Sequence, residues 1–138
     1  MAGNTKPLFS AIPRSFLADA VLLTANATTD LTSGTIVLLA TAGANGARLD
    51  AMHLQPLGTN VATVARFWLN NGGVTTTAAN NRWFLDVTLP ATTASLVASI
   101  PAVIIELNRA IDPLFRLYAV VGTTVIAGYH VVTFGGDY

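Results

Sequence analysis

The stretch Arg82-Trp83-Phe84-Leu85-Asp86-Val87-Thr88-Leu89 decides the fold class. Trp83, Leu85, Val87 and Leu89 fall on one side of an extended chain, and Arg82, Phe84, Asp86 and Thr88 on the other. The segment reads as a half-buried strand with Trp83 in the core. The same period of two runs through other segments. Ala65, Phe67 and Leu69 alternate, which turns Trp68 outward beside Val64, Arg66 and Asn70. Phe115, Leu117, Ala119 and Val121 face inward, leaving Leu114, Arg116 and Tyr118 outward.

Strands are expected near Ala18–Thr24, Thr35–Thr41, Arg48–Leu57, Ala62–Asn70, Arg82–Leu89, Val103–Leu107, Leu114–Val121 and Thr124–Phe134. Turn signals separate them: Asn45-Gly46, Asn71-Gly72-Gly73, Asp112-Pro113 and Gly122-Thr123. Gly43-Ala44-Asn45-Gly46 reads as a hairpin turn. Helix formers are scarce, with one Lys (Lys6), one Glu (Glu106) and one Gln (Gln55). About eight strands in 138 residues imply an all-β domain, either a two-sheet sandwich or a small barrel. Such a chain can bury about two-thirds of its unfolded surface in one core. The run Thr35-Ile36-Val37-Leu38-Leu39-Ala40 is apolar on both faces, so both need cover, which hints at a neighbouring subunit.

Residues 1–16 differ from the rest. Pro7 and Pro13 oppose helix and regular pairing, whereas Phe9, Ile12 and Phe16 are too apolar for a solvated tail. An extended N-terminal arm over 1–16, followed by a sandwich over 17–138, reconciles these facts. The arm either docks on another surface or packs back on its own sandwich.

Composition narrows the function classes. Seven basic and seven acidic side chains cancel, which removes the usual electrostatic reason to bind nucleic acid or acidic membranes. The chain is 52% hydrophobic and 10% charged, against a norm of about 25% charged. Either Thr, Ser and Asn cover the surface, or other protein does. No cysteine is present, which excludes disulfides and thiolate chemistry. The apolar stretches 34–44 and 96–107 are too short for a membrane span, and the start lacks an unbroken signal-like apolar region. The sequon Asn26-Ala27-Thr28 reads as chance in a threonine-rich chain.

Catalytic signals are lacking. His53 and His130 each stand alone in an apolar strand, with no metal-ligand spacing and no nucleophile motif, so neither a metal nor a cofactor is expected. Gly43-Ala44-Asn45-Gly46 lacks the lysine of a phosphate loop. The acidic residues are dispersed. Arg48 and Asp50, two apart on one strand, read as a surface ion pair. Outward aromatics beside arginine have the composition of protein-interface anchors. Phe9 and Phe16 of the arm, with Arg66, Trp68, Arg116 and Tyr118, are therefore the candidate contact residues, unless a loop covers them.

Several segments together resemble small virion structural proteins of tailed bacteriophages. Ser33-Gly34-Thr35-Ile36-Val37 followed by Thr41-Ala42-Gly43-Ala44-Asn45-Gly46-Ala47-Arg48-Leu49-Asp50 is one, and Ala65-Arg66-Phe67-Trp68-Leu69-Asn70-Asn71-Gly72 another. The segment from Glu106 to Leu117 is similar to an L-N-x-x-L-P-x-G-y-x-L pattern, from which Asp112-Pro113-Leu114-Phe115 departs at the turn. Gly135-Gly136-Asp137-Tyr138 matches a Gly-Gly-Asp-aromatic terminus. Within that group the chain resembles the capsid cement, or decoration, proteins of short-tailed Bordetella-type phages. The resemblance implies a jelly-roll sandwich, assembled in the bacterial cytoplasm and placed on the outer surface of the capsid. It implies no catalysis, a homo-oligomer (a dimer ahead of a trimer) and the major capsid protein as partner.

Two other readings fit the same residues. A tail-fibre or spike head would bind a host receptor or glycan, with Trp68, Asn70 and Asn71 as a sugar-binding candidate. A small β-barrel enzyme would require His53 or His130 to meet a carboxylate in a pocket.

Overall fold

The period-two segments form eight strands in a computed structural model that describes residues 10–138. They are β1 (Ile12–Leu17), β2 (Val37–Thr41), β3 (Ala47–Pro56), β4 (Thr63–Asn70), β5 (Asn81–Leu89), β6 (Val103–Ile111), β7 (Arg116–Val121) and β8 (Tyr129–Asp137). A single 3-10 turn, Ala78–Asn80, precedes β5. The strands lie in two antiparallel four-stranded sheets, ordered β1-β8-β3-β6 and β2-β7-β4-β5. The pairs β1–β8, β2–β7, β3–β6 and β4–β5 are those of one long hairpin rolled up on itself, and β3–β8 and β4–β7 complete the two sheets. That is the strand order of a jelly roll.

The core lies between the sheets, where Leu39, Leu49, Met52, Leu54, Phe67, Leu89, Leu117 and Tyr129 are buried. Each large apolar side chain removed from water contributes about 1.5–3 kcal/mol. Inward Ala65, Phe67, Leu117, Ala119 and Val121 follow the expected alternation.

The start of the chain does not follow expectation. Residues 12–17 form a strand, whereas Ala18–Thr24 is irregular apart from a single bridge between Leu22 and Tyr129. A proline is tolerated there because β1 is an edge. The Ala18 N–H donates to the Val131 carbonyl, and the Ile12↔Asp137 register carries that parity along the strand. Within β1 the even-numbered residues therefore bond to β8, and Pro13, which has no N–H, faces the free side. The end of the expected arm is thus part of the sandwich. Phe9 lies outside the described residues.

Two local turns have forms that spacing did not reveal. Gly43–Gly46 is closed by the Gly46 N–H donating to the Gly43 carbonyl, with Gly46 at φ +91°. It joins β2 to β3, which belong to different sheets, so it is a corner and not a hairpin. Near the end of β8 the backbones crowd. A Cβ on Gly135 would lie 2.0 Å from the Arg48 carbonyl oxygen, and one on Gly136 would lie 2.5 Å from that of Ile12. The paired glycines let β8 pass between β1 and β3 there. The following Asp137 accepts from Arg14 at 2.6 Å and from the Gly43 N–H at 2.9 Å.

Candidate interaction surface

The outer face of β2-β7-β4-β5 is covered by the protein's own loop. The segment between Leu22 and Val37 runs across it, anchored where the Asn26 N–H donates to Val121 and where Asn81 donates to the Asp30 carbonyl. The buried Asn26 amide donates to the carbonyls of Ser33 and Thr35 and accepts from the Thr28 N–H, so the sequon asparagine is a structural tie. Leu31, at φ 64°, is thereby pressed onto Trp68, Tyr118 and Val120, with Ile36 and Leu38 at the rim. This second small core supplies from within the chain the cover that the run from Thr35 to Ala40 demands.

The contact residues expected from sequence change accordingly. Trp68 and Tyr118 do point out of the sandwich, but the loop buries both, so neither is available as an anchor. Phe16 is buried in the main core. Arg116 is half-buried at the start of β7. Arg66 is half-buried too, with its guanidinium 5.0 Å from the Trp83 ring and 3.8 Å from Asp86. Trp83 is the principal correction on this side. A bulge pairs Phe67 with Leu85 but Trp68 with Trp83, leaving Phe84 as the extra residue. That insertion moves Trp83 from the core face to the outer face. There it stacks on Trp68 with centroids 5.5 Å apart, donates its indole N–H to Asp86 and stays 43% exposed. An exposed tryptophan under an arginine exists on this face, but it is Trp83 and not Trp68.

Among the described residues no such loop covers the outer face of β1-β8-β3-β6. Tyr129, Val131 and Thr133 of β8 point inward, which sends His130, Val132 and Phe134 outward. The register sets Leu17, Val132, His53 and Ile104 in one row across all four strands. Ser15, Phe134, Ala51 and Glu106 form the next row. Leu17 is 73% exposed, Ile104 57% and Phe134 40%. The edge of the His53 ring packs against Phe134 at 5.0 Å. Sequence reasoning missed this face, although the alternation of β8 carried the signal.

Two features flank it at one end. Leu96 and Val97 are fully exposed at the tip of the loop from Pro90 to Ala102, where the Ser95 hydroxyl accepts from the N–H groups of Val97 and Ala98. Gln55, on the outer face, donates to the Ile100 carbonyl and ties the loop to that side. On the β1 side, a cavity of about 300 Å³ is lined by Leu17, Ala18, Ala20, Val21, Val132 and His130.

Chemical groups do not converge. Among the described residues no group of three His, Asp or Glu side chains is placed to hold a metal ion, and neither histidine bonds to a carboxylate. Burial raises the Tyr129 phenol above its ordinary 10.0. The glycan-binding candidate dissolves, since Trp68 is buried and buried Asn70 donates to Asn81 at 2.8 Å. Arg48 and Asp50 form the expected surface pair at 2.8 Å. No helix among the described residues is long and apolar enough to cross a membrane. No family model, curated protein or solved structure matches the chain.

Proposed function

We propose that the protein is a capsid cement, or decoration, protein of a tailed bacteriophage. On this reading it binds the outside of the assembled head and clamps neighbouring major capsid subunits. The observation that carries it is the distribution of contact surface on one small sandwich. An open apolar sheet lies on one side, and the Arg66–Trp83 stack lies on the other. A domain with exposed anchors on two opposite sides is suited to bridging neighbours, and bridging is what a clamp requires. The sequence resemblance points to the same role.

The mechanism is thermodynamic. A protein that binds the assembled lattice and not the free subunits stabilises the lattice by mass action. Attachment at more than one point adds avidity, because each further contact forms at high effective concentration. The outward Arg66 and Trp83 are the residues assigned to the shell contact, since tryptophan and arginine dominate binding hot spots.

The deciding measurement is the copy number of the chain in purified particles, by quantitative mass spectrometry against the major capsid protein. Copies approaching one per capsid subunit are expected. A handful per particle would move the chain to a tail or fibre, and none would sink the virion reading.

A further inference from the structure

We propose that the cavity beneath the loop from Pro90 to Ala102 binds a small, neutral, mostly apolar molecule, which offers one oxygen acceptor, as a ketone does, to the Tyr129 hydroxyl. Four strand ends meet at this cavity: β3 ends at Pro56 and β5 at Leu89, while β6 begins at Val103 and β8 at Tyr129. The site therefore lies at one end of the sandwich, between the sheets, and not on either outer face. The described chain begins at Ser10 beside Gly136, at the opposite end of β8 from Tyr129.

The shape is that of a small-molecule site. The cavity measures about 310 Å³, and sites for small ligands run from about 300 to 1,000 Å³. Its walls are the two limbs of the loop, residues 90–93 and 99–102, together with Pro56, Val103 and Tyr129. The loop does not fill it with its own apolar tip, since Leu96 and Val97 are fully exposed.

Both limbs are tied in place. Thr92 and Asn60 exchange backbone bonds at 2.9 and 3.1 Å, and the Thr92 hydroxyl donates to the Gly58 carbonyl at 2.7 Å. Buried Asn60 in turn accepts from the Gly128 N–H at 2.8 Å, next to Tyr129. The second limb is held where Gln55 donates to the Ile100 carbonyl at 3.1 Å. A site built this way spends little binding energy on ordering its walls.

The chemistry of the walls selects the ligand. Tyr129 is fully buried and points inward, and its hydroxyl has no hydrogen-bond partner among the described residues. Strand β3 stands between β8 and β6, so it is the Tyr129 side chain that shares a cavity with Val103. Buried hydroxyls nearly always find a partner, and one left over beside a cavity marks where an acceptor belongs. Burial keeps this phenol protonated, which makes it a donor at neutral pH. No charged side chain lines the cavity, and residues 90–102 contain none. A carboxylate or ammonium would lose its water there with nothing to compensate, so the ligand is neutral. Pro56, Pro90 and Val103 supply the apolar contact.

Two probes with the same number of non-hydrogen atoms test this on the purified full chain: acetophenone, a neutral ketone, and benzoate, an anion. In amide NMR spectra, acetophenone at millimolar concentration should shift the signals of Thr92, Thr93, Ser99 and Val103 in a saturable way, and benzoate should not. Tyr129→Phe keeps the ring and removes a hydroxyl that has no partner, so its urea midpoint should be equal or higher while acetophenone binds about 5-fold more weakly. Ala91→Trp, on an exposed stretch of the first limb, should block the cavity and abolish the shifts without disturbing the core. Absence of saturable shifts with acetophenone overturns the proposal. So does equal binding of benzoate, full affinity in Tyr129→Phe, or undiminished binding in Ala91→Trp. None of these readouts depends on the chain being part of a particle.

Discussion

Both sheets carry large apolar side chains on their outer faces, yet among the described residues one face is roofed by the chain itself and the other is bare. On β2-β7-β4-β5, Trp68, Tyr118 and Val120 lie under Leu31. On β1-β8-β3-β6, Leu17, Ile104 and Phe134 have no cover among the described residues. Identical alternation thus leads to opposite energetic roles. A side chain under the roof contributes to folding, whereas one on the bare face contributes only once something binds.

The largest expected effect tests that division directly. Trp68→Ala should cost about 3–5 kcal/mol of folding stability in urea titrations, as other large-to-small changes in cores do. Ile104→Ala, measured at a dilution where the chain is free, should stay within about 0.5 kcal/mol. Similar losses at the two sites would mean the bare face is structural after all. Trp68→Phe sharpens the point. The Trp68 indole N–H is buried without a partner, so removing it offsets part of the lost packing.

Next in size is the tie that holds the roof. Asn26→Ala removes bonds to Ser33, Thr35 and Thr28 together, and should cost about 2 kcal/mol. Acrylamide quenching of tryptophan fluorescence should rise at the same time, because Trp68 is then uncovered. Stability lost without added quenching would show that the loop stays seated without its asparagine.

Two leucines in the left-handed region make a smaller and sharper contrast. Leu31 (φ 64°) is buried in the roof, whereas Leu114 (φ 63°) is 58% exposed in the turn before β7. Replacement by glycine relieves about 1–2 kcal/mol of backbone strain in either case. At Leu31 the lost burial outweighs that relief, so Leu31→Gly should destabilise. At Leu114 little burial is lost, and Leu114→Gly should stabilise by about 0.5–1 kcal/mol after the entropy cost of glycine. Thermal unfolding midpoints moving in opposite directions would establish the difference.

Much of this architecture is legible in the sequence, because a period of two survives wherever pairing is regular. Strands β2 to β5 and β7 lie where alternation or turn residues place them, β6 runs on to Ile111 and β8 is displaced to Tyr129–Asp137, and β7 divides its faces at Leu117 and Tyr118 as read. The failures share a cause. At Trp83, one inserted residue in β5 reverses the face of everything before it, and no local pattern marks an insertion whose counterpart lies on another strand. At Pro13 and Phe16, the prolines argue against a strand only if both edges need donors, and which edge is free depends on topology. At Trp68 and Tyr118 the direction was legible and the cover was not, since a roof from a distant part of the sequence leaves no periodic trace. Contact residues are consequently harder to read than strands: whether an outward side chain is an anchor depends on what long-range loop lies over it.

The smallest expected effect concerns how the roof responds to acid, for which the bare face has no counterpart. Asp30 accepts from the Thr32 N–H and from the hydroxyls of Thr32 and Thr28, and these bonds hold its carboxyl below the ordinary 3.8. A depressed folded-state value means the contribution is present above about pH 4 and is lost as pH falls through that lower value. Other carboxylates titrate in the same range, so the informative quantity is the difference between the natural chain and Asp30→Asn. That gap should be small at neutral pH, as for any exposed group, and should close as pH falls through the lowered value and the natural residue becomes neutral. Persistence of the gap at the acid end of the titration, where the natural residue is neutral, would show that the roof needs the geometry of these bonds and not their charge. The roof would then be held against acid by Leu31 and Asn26, and pH would offer no means of opening it.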